Sequence, residues 1–130
     1  MSTPKIFAGK TVPKETAWKP YGSTGIEVWV DTSVAEFSKT PLYFASIGGE
    51  AGHWALTGSN AVYNPRKNGF RIYLRWPHGG AITPDYANAK GWHISWCGIE
   101  FPASSRPDPD ESWVVPPLNV GENPTEMPKT

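Results

Sequence analysis

Two stretches of strictly alternating residues constrain the fold of this chain more than any other feature. In residues 69–76 (GFRIYLRW) an apolar side chain falls on every second position, and arginine or tyrosine falls between. In residues 91–101 (GWHISWCGIEF) tryptophan and isoleucine alternate with histidine, serine and cysteine. A period of two is typical of strands with one buried face. We therefore expect two core strands, with Trp76 and Trp96 facing the core.

Similar but shorter patterns occupy much of the chain before residue 69. The further predicted strands are residues 5–8 (an edge strand flanked by prolines), 25–31 and 42–49, with weaker candidates at 53–58 and 60–64. Residues 13–24 read as an irregular connection, and residues 32–41 as a linker with one helical turn. Because no long 3.6-residue period occurs, the sequence predicts an all-β fold, either a sandwich or a barrel.

Glycine and proline mark the connections. Asn68-Gly69 favours a tight reversal with positive φ, so we expect a hairpin leading into residues 69–76. Residues 77–90 are too rich in glycine and proline to read as anything but a long loop. Residues 102–130 hold seven of the fourteen prolines. The sequence thus predicts one domain over 1–101 and a Pro-rich extended tail over 102–130, in which Trp113-Val114-Val115 docks on its own or a neighbouring subunit.

Composition excludes some partners. Lys+Arg and Asp+Glu each number 12, so the formal net charge is zero and a nucleic-acid partner is disfavoured. Seven tryptophans in 130 residues predict an aromatic core, an aromatic contact surface, or both.

We find neither a signal peptide nor a membrane-spanning run, and we expect no membrane insertion. Cytoplasmic residence, export by another route, and incorporation into a particle all stay open.

The sequence gives little support for an enzyme. The histidines, at 53, 78 and 93, are not at metal-ligand spacing with one another or with a cysteine or carboxylate. There is no G-x-S-x-G motif and no phosphate-binding loop before a helix. The scattered carboxylates do not discriminate a glycosidase. We therefore expect no catalytic residues, no metal, no cofactor and no enzyme activity.

A binding site built from loops fits the pattern better. Sugars present an apolar ring face and clustered hydroxyls, so a site for them needs aromatic rings together with directional hydrogen-bonding groups. The candidate ligand-binding residues combine these properties and are Tyr21, Trp76, His78, Asp85, Tyr86 and Asn88. Three of these residues also have a structural interpretation. Trp76 would belong to the core, Tyr86 would anchor the loop, and Asp85 would shape a turn. His78, which lies past the strand end between Pro77 and Gly79, is the strongest functional candidate.

Four motifs in order resemble the H-type lectin domain of snail agglutinins and the discoidin C-terminal domain. The main one is the run NPRKNGFRIYLRWPH followed by WHISWCGIEF. Residues 8–11 (AGKT) with 16–18 (TAW) are similar to the family's opening segment, and residues 37–47 (FSKTPLYFASI) to its next strand. The resemblance covers roughly residues 8–101.

The resemblance implies a six-stranded antiparallel β-sandwich assembling as a trimer or a dimer of trimers, with galactose or N-acetylgalactosamine bound between subunits. His78 corresponds to the family's sugar-contacting histidine and Tyr86 to its loop tyrosine. The chain lacks the family's early-loop aspartate and its disulfide cysteines, and Pro77 replaces tryptophan before the histidine. The resulting expectation is a multivalent glycan-binding homo-oligomer. The alternative is a structural or receptor-contact subunit, such as a virion or tail-fibre component, without sugar binding.

Overall fold

A computed structural model describes residues 3–102. Residues Lys5–Glu100 form one compact unit. The fold described here is that of Lys5–Glu100. Apart from Pro102, the tail predicted over 102–130, with its apolar segment at Trp113, lies outside the described residues.

Seven strands and one α-helix make up the described part of the chain. In order they are β1 (Lys5–Lys10), β2 (Lys19–Tyr21), β3 (Gly25–Asp31), β4 (Leu42–Gly48), β5 (Tyr63–Arg66), β6 (Gly69–Leu74), α1 (Pro84–Ala89) and β7 (His93–Glu100). Single turns of 3-10 helix lie at Ser33–Ala35 and His53–Ala55.

The strands form two antiparallel sheets that pack together as a sandwich. One sheet has three strands in the order β1-β7-β4, and the other has four in the order β2-β3-β6-β5. The all-β sandwich prediction is confirmed, with seven strands instead of about six. The expected edge strand is also confirmed, because β1 pairs only with β7.

The core lies between the two sheets and is strongly aromatic. The alternation that marked β3, β6 and β7 in the sequence corresponds to their buried faces, and Phe70, Ile72 and Ile94 are fully buried. Trp92 is also fully buried, and its carbonyl accepts a hydrogen bond from the Trp18 indole N–H at 3.1 Å. Burying each such side chain contributes roughly 1.5–3 kcal/mol. Trp96 and Trp76 behave as expected: the first is in the core, and the second packs against it half-buried.

A hydrogen-bonded tyrosine links the two sheets. Tyr43 of β4 reaches across the sandwich, where its hydroxyl donates to the Arg66 carbonyl at 2.7 Å and lies 2.7 Å from the Thr32 hydroxyl. Thr32 is completely buried. Burial raises the pKa of the Tyr43 hydroxyl above its ordinary value. The neutral phenol is therefore the form that joins the two layers.

Part of the predicted long loop is helical. The expectation of an irregular connection over 77–90 is wrong at Pro84–Ala89, where α1 forms one and a half turns. Thr83 caps the helix, since its hydroxyl accepts from the Tyr86 amide at 3.0 Å, and Pro84 occupies the first turn. Threonine before proline is a helix-start signal. The helix was missed because six residues are too few to show a period.

Three other local expectations need correction. Residues 13–24 contain the short strand β2. Residues 53–58 do not form a strand; they hold a 3-10 turn and a single bridge from Thr57 to Arg75. The hairpin between β5 and β6 is confirmed, but the positive φ expected at Asn68-Gly69 is wrong, because the left-handed residue is Asn64 (φ 53°) within β5. An irregularity in the pairing at Asn64 and Pro65 accommodates that conformation.

No helix in the described part of the chain is long and apolar enough to cross a membrane.

Candidate functional site

An open groove of about 740 Å³ lies on the four-stranded sheet, where the β2–β3 turn, β5 and the end of β6 meet. We call it the tyrosine groove, after its lining residues Tyr21, Tyr63 and Tyr73. Two glycines with positive φ shape its walls. Gly22 (φ 64°) forms the β2–β3 turn, and a side chain on Gly58 (φ 97°) would clash with the Tyr73 carbonyl. Its volume is in the range of small-molecule sites, roughly 300–1,000 Å³.

The three tyrosine rings form one continuous aromatic surface. The central ring, Tyr73, lies 4.6 Å from the Tyr21 ring centroid and 5.0 Å from that of Tyr63. Tyr21 and Tyr63 are each about half exposed. Register accounts for part of the cluster, because Tyr63 pairs with Arg71 of β6, two residues before Tyr73. Tyr21 of β2 pairs with Gly25 of β3, the strand that lies between β2 and β6.

The polar side chains of the tyrosine groove have no hydrogen-bond partners elsewhere in residues 3–102. These free groups are the hydroxyls of Tyr21, Tyr63 and Tyr73, the side chains of Ser23, Thr24, Thr57 and Asn64, and the guanidinium of Arg75. Aromatic faces beside unengaged donors and acceptors can bind a ligand with both apolar and polar surfaces. No Asp or Glu lines the groove.

A second aromatic surface contains the histidine favoured by the sequence. The rings of Trp76 and His78 are stacked, with centroids 5.8 Å apart and an interplanar angle of 15°. Tyr86 lies 6.5 Å from Trp76, and buried Trp92 lies beneath both. We call Trp76, His78 and Tyr86 the histidine cluster. Its His78 Nδ1 accepts from the Gly80 amide at 3.2 Å, which leaves the other ring nitrogen free.

The structure separates the six predicted site residues. Trp76, His78 and Tyr86 come together, whereas Tyr21 lies in the tyrosine groove. The two surfaces are neighbours in the chain, because Arg75 of the groove precedes Trp76 of the cluster.

The remaining two predicted residues have structural surroundings. The Asn88 side chain bonds to the backbone of Thr16 in both directions, accepting at 3.0 Å and donating at 2.9 Å. With its amide engaged in this way, Asn88 joins α1 to the loop before β2. Asp85 lies exposed in the first turn of α1, where a negative charge favours the helix.

The outer face of the three-stranded sheet carries a third surface, which is apolar. Register aligns Ile6 with Ile99 and Leu42 in one row, and Ala8 with Cys97 and Phe44 in the next. We call these six residues the apolar face. Three of them are unusually open for large side chains: Ile6 is 62% exposed, Phe44 58% and Leu42 51%. The next row is polar, with Lys10, Ser95 and Ser46.

The histidines and the cysteine lie in separate surroundings in the described part of the chain. Among residues 3–102, no three His, Cys, Asp or Glu side chains are grouped to hold a metal ion. His93 Nδ1 lies 2.9 Å from the Gly91 carbonyl, and Cys97 is a free, half-buried thiol in the apolar face.

Sequence reasoning missed Tyr63, Tyr73 and Arg75. The signal for two of them was present, because Tyr73 and Arg75 fall on the polar side of the alternation in residues 69–76. An aromatic residue on a polar face is exposed unless something covers it. Tyr63 could not be found in this way, since the pairing that brings it to Tyr73 depends on an irregular hairpin.

No family model, curated protein or solved structure matches the chain. The resemblance to H-type lectins therefore rests on the sequence motifs alone.

Proposed function

We propose that this chain is a carbohydrate-binding module that holds a galactose-type saccharide in the tyrosine groove. The observation that carries the proposal is the row of three tyrosine rings beside five further polar side chains that the described part of the chain leaves unengaged. A pyranose ring would lie with its C–H face on Tyr63 or Tyr73. Its hydroxyls would bond to groups such as Asn64 and Ser23. The H-type lectin resemblance is an independent argument for the same class of ligand.

The same lining supports binding without hydrolysis. Glycosidases generally need two carboxyl groups on either side of the scissile bond. The groove offers no Asp or Glu among its lining residues. We therefore propose that the sugar is bound and released unchanged.

A glycan array followed by calorimetry tests the proposal. We expect the wild type to bind galactose- or N-acetylgalactosamine-type glycans, and Tyr63→Ala to weaken binding by roughly two- to ten-fold, the value of one aromatic contact. Trp54→Ala is the matched control, because Trp54 is 88% exposed and is not part of the groove lining. Binding to no glycan would overturn the proposal.

His78→Ala locates the sugar. If the ligand lies in the tyrosine groove, this variant binds as the wild type does. If it lies on the histidine cluster, His78→Ala loses more than about 1 kcal/mol of binding free energy and Tyr63→Ala has no effect. The second result would keep the lectin function and move its site.

We further propose that the module is multivalent through self-association, as a trimer or a dimer of trimers. The support is the apolar face, since exposed apolar patches commonly mark contact surfaces. Closed symmetric assembly would join weak single sites into one avid surface. Sedimentation of the full chain and of Phe44→Ser tests this: we expect an oligomer that the substitution weakens. A monomeric wild type would contradict it.

The apolar face also favours one alternative, a structural subunit that contacts other chains without binding sugar. The two functions differ in a single outcome. A structural subunit would assemble through the apolar face while the glycan array stayed blank.

A further inference from the structure

Arg75 is the one charged side chain that lines the tyrosine groove. It follows the end of β6, and its backbone is held by two hydrogen bonds with Thr57, at 3.0 and 3.2 Å. Its guanidinium forms no ion pair and no hydrogen bond with another residue of the described part of the chain. Arg75 is thus a cation held in place by its backbone with its side chain unengaged.

Arg71, an arginine of β6 on the same side of the alternation, already has a partner. Arg71 pairs with Glu27 at 2.9 Å and lies 5.4 Å from the centre of the Trp29 ring. That pair is half-buried and neutralises the middle of the sheet. No equivalent carboxylate lies beside Arg75, because the groove is lined by no Asp or Glu. The sheet therefore presents an arginine without an ion pair next to the tyrosines, whereas Arg71 is paired.

A guanidinium in this position selects for a particular ligand group. It offers several N–H donors in a planar fork that matches the two oxygens of a carboxylate or a sulfate. A neutral sugar would use only part of that capacity. Because the guanidinium has no protein partner to lose, an anionic ligand group replaces only solvent.

Building on the proposed sugar-binding function, we infer that the saccharide bound in the tyrosine groove is anionic, and that its carboxylate or sulfate pairs with Arg75. The ring lies on the tyrosines and the charged substituent lies at the end of β6. Specificity within the galactose-type class then depends on charge as well as on hydroxyl stereochemistry.

A matched set of probes isolates the charge. Galacturonic acid oligomers, their methyl esters and galactose oligomers share ring stereochemistry, and only the first carries a carboxylate. We expect the acid form to bind about ten-fold more tightly than the ester, the usual gain from hydrogen bonds to a charged group. A galactose 6-sulfate oligomer identifies sulfate as the source if it outcompetes the carboxylate. The preference should shrink towards about 1 M salt, because the pair is open to solvent.

Substitutions of Arg75 test whether this residue causes the preference for the acid form. Arg75→Gln should bind acid and ester alike, because it loses much more affinity for the acid form than for the ester or the neutral oligomer. Arg75→Lys should retain part of the preference, since it keeps the charge but not the fork. Arg66→Gln is the control, because it removes one exposed positive charge from β5 outside the groove lining.

The outcomes separate this inference from the proposed function. Equal binding of acid, sulfate and neutral forms, with a loss in Tyr63→Ala, overturns the anionic ligand and leaves the lectin function standing. An anion preference that survives Arg75→Gln also overturns it. Binding to none of the oligomers overturns both.

Discussion

Tyr43→Phe tests how the two sheets are held together. The substitution keeps the ring, which packs against Phe70 at 4.6 Å, and removes only the hydroxyl. That hydroxyl bonds to Thr32 and to the Arg66 carbonyl, both at 2.7 Å. Thr32 is completely buried and has no other side-chain partner among residues 3–102. Arg66 is exposed, so water can satisfy its carbonyl.

The expected loss of stability follows from the difference in solvent access between the Thr32 hydroxyl and the Arg66 carbonyl. Leaving the Thr32 hydroxyl buried without a partner costs about 1–3 kcal/mol, and the solvent-accessible Arg66 carbonyl adds little. In a domain of roughly 100 residues, a loss of about 2 kcal/mol lowers Tm by about 8–16 °C. Urea unfolding followed by tryptophan fluorescence measures the free energy of unfolding directly. Tyr63→Phe is the control, since its hydroxyl has no partner in the described part of the chain.

A double variant separates the hydrogen bond from other effects. In Tyr43→Phe/Thr32→Val both partners become apolar, so we expect part of the stability to return. Two results would refute the reasoning: a Tyr43→Phe variant within about 0.5 kcal/mol of wild type, or a double variant whose loss equals the sum of the single losses.

Three further predictions concern stability. Asn88→Ala removes both hydrogen bonds to the Thr16 backbone, so thermal unfolding should show a loss of about 1–3 kcal/mol, while glycan affinity in native buffer stays unchanged. Gly49→Ala would put its Cβ 2.6 Å from a fully buried tryptophan ring and should cost about 1–3 kcal/mol in urea unfolding. Hydrogen bonds from the Ser33 hydroxyl and amide lower the pKa of Asp31 below its ordinary value. Because the folded pKa is the lower one, this stabilisation is full above about pH 5 and is lost as the pH falls through the folded pKa, so Asp31→Asn should flatten the acid limb of a pH–stability curve.

Much of the fold could be predicted from the sequence because the side chains of the main strands alternate between apolar and polar with a period of two. The faces of β3, β6 and β7 follow directly from alternation, and burial of Val28, Phe70 and Ile94 confirms them. The short elements α1 and β2 were not predicted, because they have too few residues to show a period. Their formation depends on contacts distant in sequence, such as the Asn88–Thr16 bonds.

The candidate site was only partly predictable. Sequence proximity grouped His78 with Asp85 and Asn88, but the helix turns Asn88 towards Thr16. The tyrosine groove draws residues from four strands, and nothing local to Tyr63 indicates that it meets Tyr73. Periodicity predicts which face a residue occupies, whereas a site requires knowing which faces of different strands adjoin.

Backbone amide shifts during a glycan titration test the central claim most directly. With an oligomer of galactose, N-acetylgalactosamine or galacturonic acid added to the full chain, we predict saturable shifts at residues 21–25, 57–58, 63–64 and 73–75, which line the tyrosine groove. The apolar face should shift little. No saturable shift with any of these sugars, or shifts confined to surfaces other than the groove, would contradict the claim that the tyrosine groove binds carbohydrate.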